Sequence, residues 1–194
     1  GEIFTAAEVP IGTGTITATA TDAAGNTGQA VVHVRKDTTA PQLTITSPAA
    51  DAYLRGPSIE VQGTVTDEGG ATVFVNGEQE DNPASTPNRT FTAHLSAVDG
   101  LLELVAEGID EAGNHGTSAP VSVHVDSQPP QVVVQVPEAG LVTRADTLLI
   151  QGDIQDASPM TLSVGGAAPR SMSNGPFEDV ASLGPAEGLQ TVLL

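Results

Sequence analysis

Over most of the chain, apolar and polar residues alternate one for one, the period of a strand with one face buried. In 58–66 (SIEVQGTVT) the inward set is Ile59, Val61, Gly63 and Val65; in 147–155 (TLLIQGDIQ) it is Leu148, Ile150, Gly152 and Ile154. Leu43 and Ile45 extend the pattern, with Val132 and Val134 in matching places, and Val73 and Val75 match Leu162 and Val164. Phe91, Ala93 and Leu95 form a further set, followed by Leu102, Leu104 and Ala106 on a strand through 101–108, and by Val121, Val123 and Val125. Asn76-Gly77 supplies the positive φ values of a tight hairpin turn, and Ala-Gly-Asn at 24–26 and 112–114 joins two strands each time. No segment has a 3.6-residue apolar repeat, so helix content should be near zero. Short alternating strands with turn signals between them predict an all-β sandwich.

The pattern repeats. Residues 39–77 align without a gap onto 128–166, with Pro41 on Pro130, Gln62-Gly63 on Gln151-Gly152, Asp67 on Asp156 and Gly77 on Gly166. A second register sets 12–26 on 100–114, and Phe4, Phe91 and Phe177 correspond, each ahead of a glycine at Gly12, Gly100 and Gly188. The expected organisation is a complete module over 38–126, the C-terminal strands of a preceding module over 1–37, and the N-terminal part of a following one over 127–194. A repeat of this size can close its own core and is close to an immunoglobulin-type sandwich, well above a solenoid unit. The chain starts and stops mid-pattern and reads as a window of something longer, with any targeting signal elsewhere.

Composition narrows the function. Asp and Glu total 24 against 6 Lys and Arg, a formal net charge of -18. A phosphate backbone needs a basic surface, so nucleic acid is an unsuitable partner, and anionic membranes are disfavoured likewise. No apolar run is long enough for membrane insertion. With 0 Cys there are no disulfides, thiolate nucleophiles or cysteine-bound zinc. His33, His94, His115 and His124 lack metal-ligand spacing, no nucleophile motif surrounds any Ser or Thr, and carboxylate pairs are too common in so acidic a chain to mark a glycosidase. The chain is therefore read as non-enzymatic. With no Trp, 1 Tyr and 4 Phe, aromatic sugar platforms are poorly supported. Asn88-Arg89-Thr90 fits a glycosylation sequon, read as chance.

The Asp22-Ala23-Ala24-Gly25-Asn26 and Asp110-Glu111-Ala112-Gly113-Asn114 hairpins, the Asp37-Thr38-Thr39-Ala40-Pro41 linker and the strand pattern before each hairpin resemble bacterial Ig-like repeats of large extracellular, adhesin-type proteins. The second linker, Asp126-Ser127-Gln128-Pro129-Pro130, departs from the first. The resemblance covers essentially the whole chain. It implies tandem immunoglobulin-like β-sandwich modules, one complete and two partial, outside the cell or on its surface, with neighbouring Ig-like modules as partners. Such repeats also serve as accessory modules of secreted carbohydrate-active enzymes.

In such a sandwich the incoming linker should lie near the loop after the second strand and the last hairpin loop. That gathers Asp37, Asp67, Glu68, Asp110, Glu111 and Asn114, oxygen ligands from three loops, as Ca²⁺ with its six to eight ligands requires. Asp126 and Asp156 would begin the equivalent site at the next joint. Some Ig-like adhesin repeats stiffen their joints with interdomain calcium, as the resemblance implies. The alternative is that these Asp and Asn residues cap their own backbone amides as turn formers. Three functions follow: spacer repeats of a cell-surface or secreted adhesive protein, whose surface or glycan ligands are bound by other parts of the parent; an accessory module of a secreted carbohydrate-active enzyme; or a filament subunit assembled by strand complementation.

Overall fold

The structure, a computed structural model, describes residues 14–83 and 86–183. Phe4, Gly12 and Gly188, three of the repeated positions, lie outside the described residues. The fold is all-β and built of immunoglobulin-like sandwich modules; among the described residues there is no helix, hence none long and apolar enough to cross a membrane.

The leading segment holds β1 (Gly14–Thr21) and β2 (Thr27–Val34). The middle copy holds β3 (Gln42–Ser47), β4 (Tyr53–Arg55), β5 (Ser58–Thr66), β6 (Ala71–Val75), β7 (Glu78–Gln79), β8 (Arg89–Ser96), β9 (Gly100–Leu104), β10 (Ala106–Asp110), β11 (His115–Thr117) and β12 (Val121–Asp126). The last holds β13 (Gln131–Val136), β14 (Thr147–Gln155), β15 (Met160–Leu162), β16 (Arg170–Met172) and β17 (Gly175–Ser182). Two compact units arise from these strands. One comprises 14–48, 60–95 and 104–121, residues 84 and 85 aside; the other comprises 49–59, 96–103 and 122–183.

The first unit contains the β1–β2 hairpin and two facing sheets, ordered β3-β5-β8 and β11-β10-β6-β7. Alternation places Leu43, Val61, Val65, Phe91, Ala93 and Leu95 inward from one sheet, and Ala71, Val73, Val75 and Ala106 from the other, all buried. Two glycines set how closely this core closes. A Cβ at Gly63, mid-strand on β5, would collide with the Phe91 ring, so the alternation there reads Gly because the phenyl fills the space. A Cβ at Gly116 would overlap the Pro41 carbonyl, so β11 lies hard against the start of β3. Asn76 (φ 48°) and Gly77 (φ 88°) turn β6 into β7 as the sequence predicts. Asn76 Oδ1 also accepts from Val105 N–H at 2.9 Å.

The strand expected through 101–108 is instead two, β9 and β10, parted at Val105. The strand carrying Val121, Val123 and Val125 is likewise preceded by a separate β11, where Ser118 Oγ accepts from Ala106 N–H at 3.0 Å. Alternation alone does not reveal such breaks.

The second unit contains sheets ordered β4-β12-β9, β13-β14-β17 and β15-β16. Here β4 pairs parallel with β12. Ile150, Ile154, Met160, Leu162, Val164, Phe177 and Ala181 form one core cluster. A Cβ at Gly152 would meet Phe177, repeating the Gly63–Phe91 fit. Val132 and Val134, read as inward by analogy with Leu43 and Ile45, are 42% and 37% exposed. Matching sequence positions here do not carry matching burial.

Candidate functional site

The linker, the loop after β5 and the β10–β11 hairpin converge in the first unit. Each loop is shaped by its own aspartate. Asp37 Oδ1 accepts from Thr39 N–H at 3.0 Å, folding the linker into an Asx turn before Pro41. Asp67 Oδ2 accepts from Gly69 N–H at 2.8 Å in the same manner. Asp110 accepts from Asn114 N–H at Oδ1 and from Asn114 Nδ2 at Oδ2, both at 2.8 Å. Gly113, at φ 87°, makes that turn possible. Asn114 Nδ2 also donates to the Asp37 carbonyl at 3.4 Å, tying hairpin to linker. The Asn114 side chain, helped by the backbone N–H groups of Asn114, Ala112 and Gly113, holds the Asp110 carboxyl below its ordinary value.

Asp37, Asp67 and Asp110 each place a carboxylate oxygen within 4.8 Å of the others. Asp67 and Asp110 are buried, at 8% and 7% exposure. Turn chemistry accounts for one oxygen of Asp67. Its other oxygen, Oδ1, is buried with no hydrogen-bond partner. Buried polar atoms are almost always paired, and an orphan costs about 1–3 kcal/mol or more when charged. Two oxygens bound to one Ca²⁺ at about 2.4 Å can be at most about 4.8 Å apart, so the spacing suits a single shared ion. The donors are hard oxygens, with no sulfur or imidazole among them, which suits Ca²⁺ or a similar cation.

The remaining candidates fall elsewhere. The Glu68 side chain is 83% exposed and lies 3.9 Å from Arg35 Nη1. Glu111 is exposed and outside the cluster. Arg35, which sequence reasoning passed over, bridges Glu68 and Asp37, with Nη2 3.2 Å from Asp37 Oδ2. The available signal was a cation two residues before the linker aspartate in a chain with only 6 Lys and Arg.

Asp126 and Asp156 meet in the second unit and repeat the local turns. Asp126 Oδ1 accepts from Gln128 N–H at 3.0 Å, and Asp156 Oδ1 from Ser158 N–H at 2.7 Å. The Ser158 hydroxyl donates to Asp126 Oδ2. That hydroxyl, then the Gln128 N–H, and more weakly the Asp156 carboxyl, hold Asp126 below its ordinary range. Asn174 Oδ1 accepts from Asp156 N–H at 2.8 Å. Among the described residues this pair gains no third carboxylate.

The sequon at 88–90 has a structural account. Arg89 forms a two-pronged ion pair with buried Glu80 and donates to the Ala71 carbonyl at 2.7 Å, while Glu80 Oε1 accepts from Val73 N–H at 3.1 Å.

No family model matches the chain. Bacillopeptidase F of Bacillus subtilis (strain 168) is 30% identical over 124 residues, which is 63% of this chain and 8% of that protein. The chain thus spans under a tenth of the relative's length. Among solved structures, fibronectin(III)-like modules of Clostridium thermocellum CbhA align with TM-score 0.41 and 21% identity over 70% of this chain and 77% of theirs. The Bacteroides ovatus mixed-linkage glucan utilization locus protein SGBP-B, in complex with a mixed-linkage heptasaccharide, aligns with TM-score 0.28 and 14% identity over 89% of this chain and 52% of its own. At these TM-scores the likenesses add nothing to the strand order read from the chain itself.

Proposed function

We propose that the chain is a run of non-catalytic Ig-like spacer modules from a bacterial cell-surface or secreted protein, with modules bounded near residues 38 and 127, and that Ca²⁺ ties the linker to the complete module. The observation carrying this is the buried, unpartnered Oδ1 of Asp67, a side chain whose carboxylate lies within 4.8 Å of those of Asp37 and Asp110. A cation there bonds linker, loop and hairpin at once. The linker then loses the freedom to swing, as a spacer holding a functional part at a distance requires. A site with only three protein carboxylates suits the weak affinities of extracellular calcium modules, about 10⁻⁴–10⁻³ M.

A second reading, favoured by the likeness to a protein named as a peptidase, is an accessory segment of a larger enzyme whose chemistry lies outside this chain. Both readings keep the cation. The full gene product separates them: many further copies support the spacer, one catalytic domain the accessory segment.

Thermal melts test the cation. A ligand bound only by the folded state at about a hundredfold excess over its Kd stabilises by about 2.7 kcal/mol. For a module of this size that raises Tm by about 10–20 °C. Equal melting temperatures in excess Ca²⁺ and in chelator would end the proposal. In Asp67→Asn the shift should vanish while the metal-free Tm stays within a few degrees, because one of three crowded carboxylates has been neutralised.

A further inference from the structure

We infer that Arg35 is a tethered counter-ion of the three-aspartate cluster, standing in for the cation when none is bound and weakening the site's affinity for it. This rests on the cluster being a Ca²⁺ site. Three carboxylate oxygens within 4.8 Å of one another repel, and two of the side chains are buried where water screens poorly. The charge that answers them is Arg35. Its Nη2 lies 3.2 Å from Asp37 Oδ2, and the Asp37 side chain is only 9% exposed. The same Nη2 sits so close over Gly69 that a Cβ there would collide with it, and Gly69 N–H is the donor that holds Asp67. The guanidinium is therefore spread over the loop that bears the orphaned oxygen. A Cβ-free residue at 69 leaves it room.

Arg35 is also built to leave. Its side chain is 48% exposed, and its other nitrogen, Nη1, lies 3.9 Å from Glu68, whose side chain is in solvent. An arriving cation has to take Asp37 Oδ2 from the guanidinium, which can swing towards Glu68 and water. That displacement costs affinity and raises the cation concentration at which the linker locks. The arrangement belongs to the complete site alone. Two residues before Asp126, as Arg35 is two before Asp37, stands His124, which stacks on Tyr53 with ring centroids 4.6 Å apart.

Isothermal titration of the 194-residue chain with Ca²⁺, comparing the parent with Arg35→Gln and Arg35→Lys, tests this, together with melts in chelator. Arg35→Gln should bind about tenfold more tightly, since a competing positive charge a few ångströms from the ion is gone, while its metal-free Tm falls or is unchanged. Arg35→Lys should stay near the parent. A merely structural arginine would give the opposite coupling, with weaker binding and a lower Tm together. Equal or weaker binding by Arg35→Gln overturns the counter-ion role and leaves the cation site standing. Absence of binding in all three chains overturns the cation site, and this inference with it.

Discussion

The Asp110 carboxylate shows how much of the site is local chemistry. Its hydrogen bonds from Asn114 are spelled by the D-x-A-G-N motif, and the same contacts recur at Asp22 and Asn26, where the Asn26 side chain lowers the Asp22 carboxyl. These turns were legible because both partners sit four residues apart. The convergence of Asp37, Asp67 and Asp110 was legible only through the fold. The orphaned oxygen of Asp67 and the bridge made by Arg35 were not legible at all, since each depends on how loops pack. A carboxyl lowered on folding contributes stability above its unfolded value, here 3.8, and loses it as pH falls through the folded value. Asn114→Ala should remove the largest part of that contribution at Asp110 and leave the part made by backbone N–H groups. In chelator, the parent's Tm advantage over Asn114→Ala should shrink as pH drops from 5 to below 3.8. An advantage that held constant across that window would remove the hydrogen-bond account.

At the scale of strands, the alternating pattern located the buried faces of β5, β6, β8 and β14 but not of β13, where Val132 and Val134 are exposed. Gly63 under Phe91 and Gly152 under Phe177 are the same device twice, and the sequence repeat announced it. Phe91→Ala should cost about 3–5 kcal/mol, read by urea denaturation of the first unit. Gly116→Ala should cost about 1–3 kcal/mol and also weaken Ca²⁺ binding, because the methyl would push Pro41 and with it the linker. Gly116→Ala with unchanged stability would contradict the packing of β11 on Pro41. The breaks at Val105 and before Val121 went unread because a side-chain hydrogen bond, Asn76 to Val105, marks one and Ser118 the other, and neither alters alternation. On β8, His94 Nδ1 is 2.7 Å from Asp81 and Nε2 is 3.5 Å from Glu60. The hydrogen bond and charge of Asp81, then Glu60, raise the imidazole above its ordinary 6.5. A raised group contributes stability below its unfolded value and loses it as pH rises through the folded one. His94→Gln should therefore lower Tm more at pH 5.5 than at pH 8.5, modestly, since the pair is solvent-exposed.

For the whole molecule, the net charge of -18 dominates. Carboxylates in such excess repel, keep the chain soluble and leave cations as the natural counter-ligands. That surplus was plain from composition, which argued against nucleic acid as a partner without naming a cation site. The site follows once the surplus is focused by folding: the 24 acidic residues are spread along the chain, yet one group of three lies within 4.8 Å among the described residues. Isothermal titration with Ca²⁺ against the parent and Asp67→Asn tests this focusing most directly. The account predicts one ion bound per parent chain and none in Asp67→Asn. Equal binding by the two chains, or no binding by the parent at millimolar Ca²⁺, would contradict it.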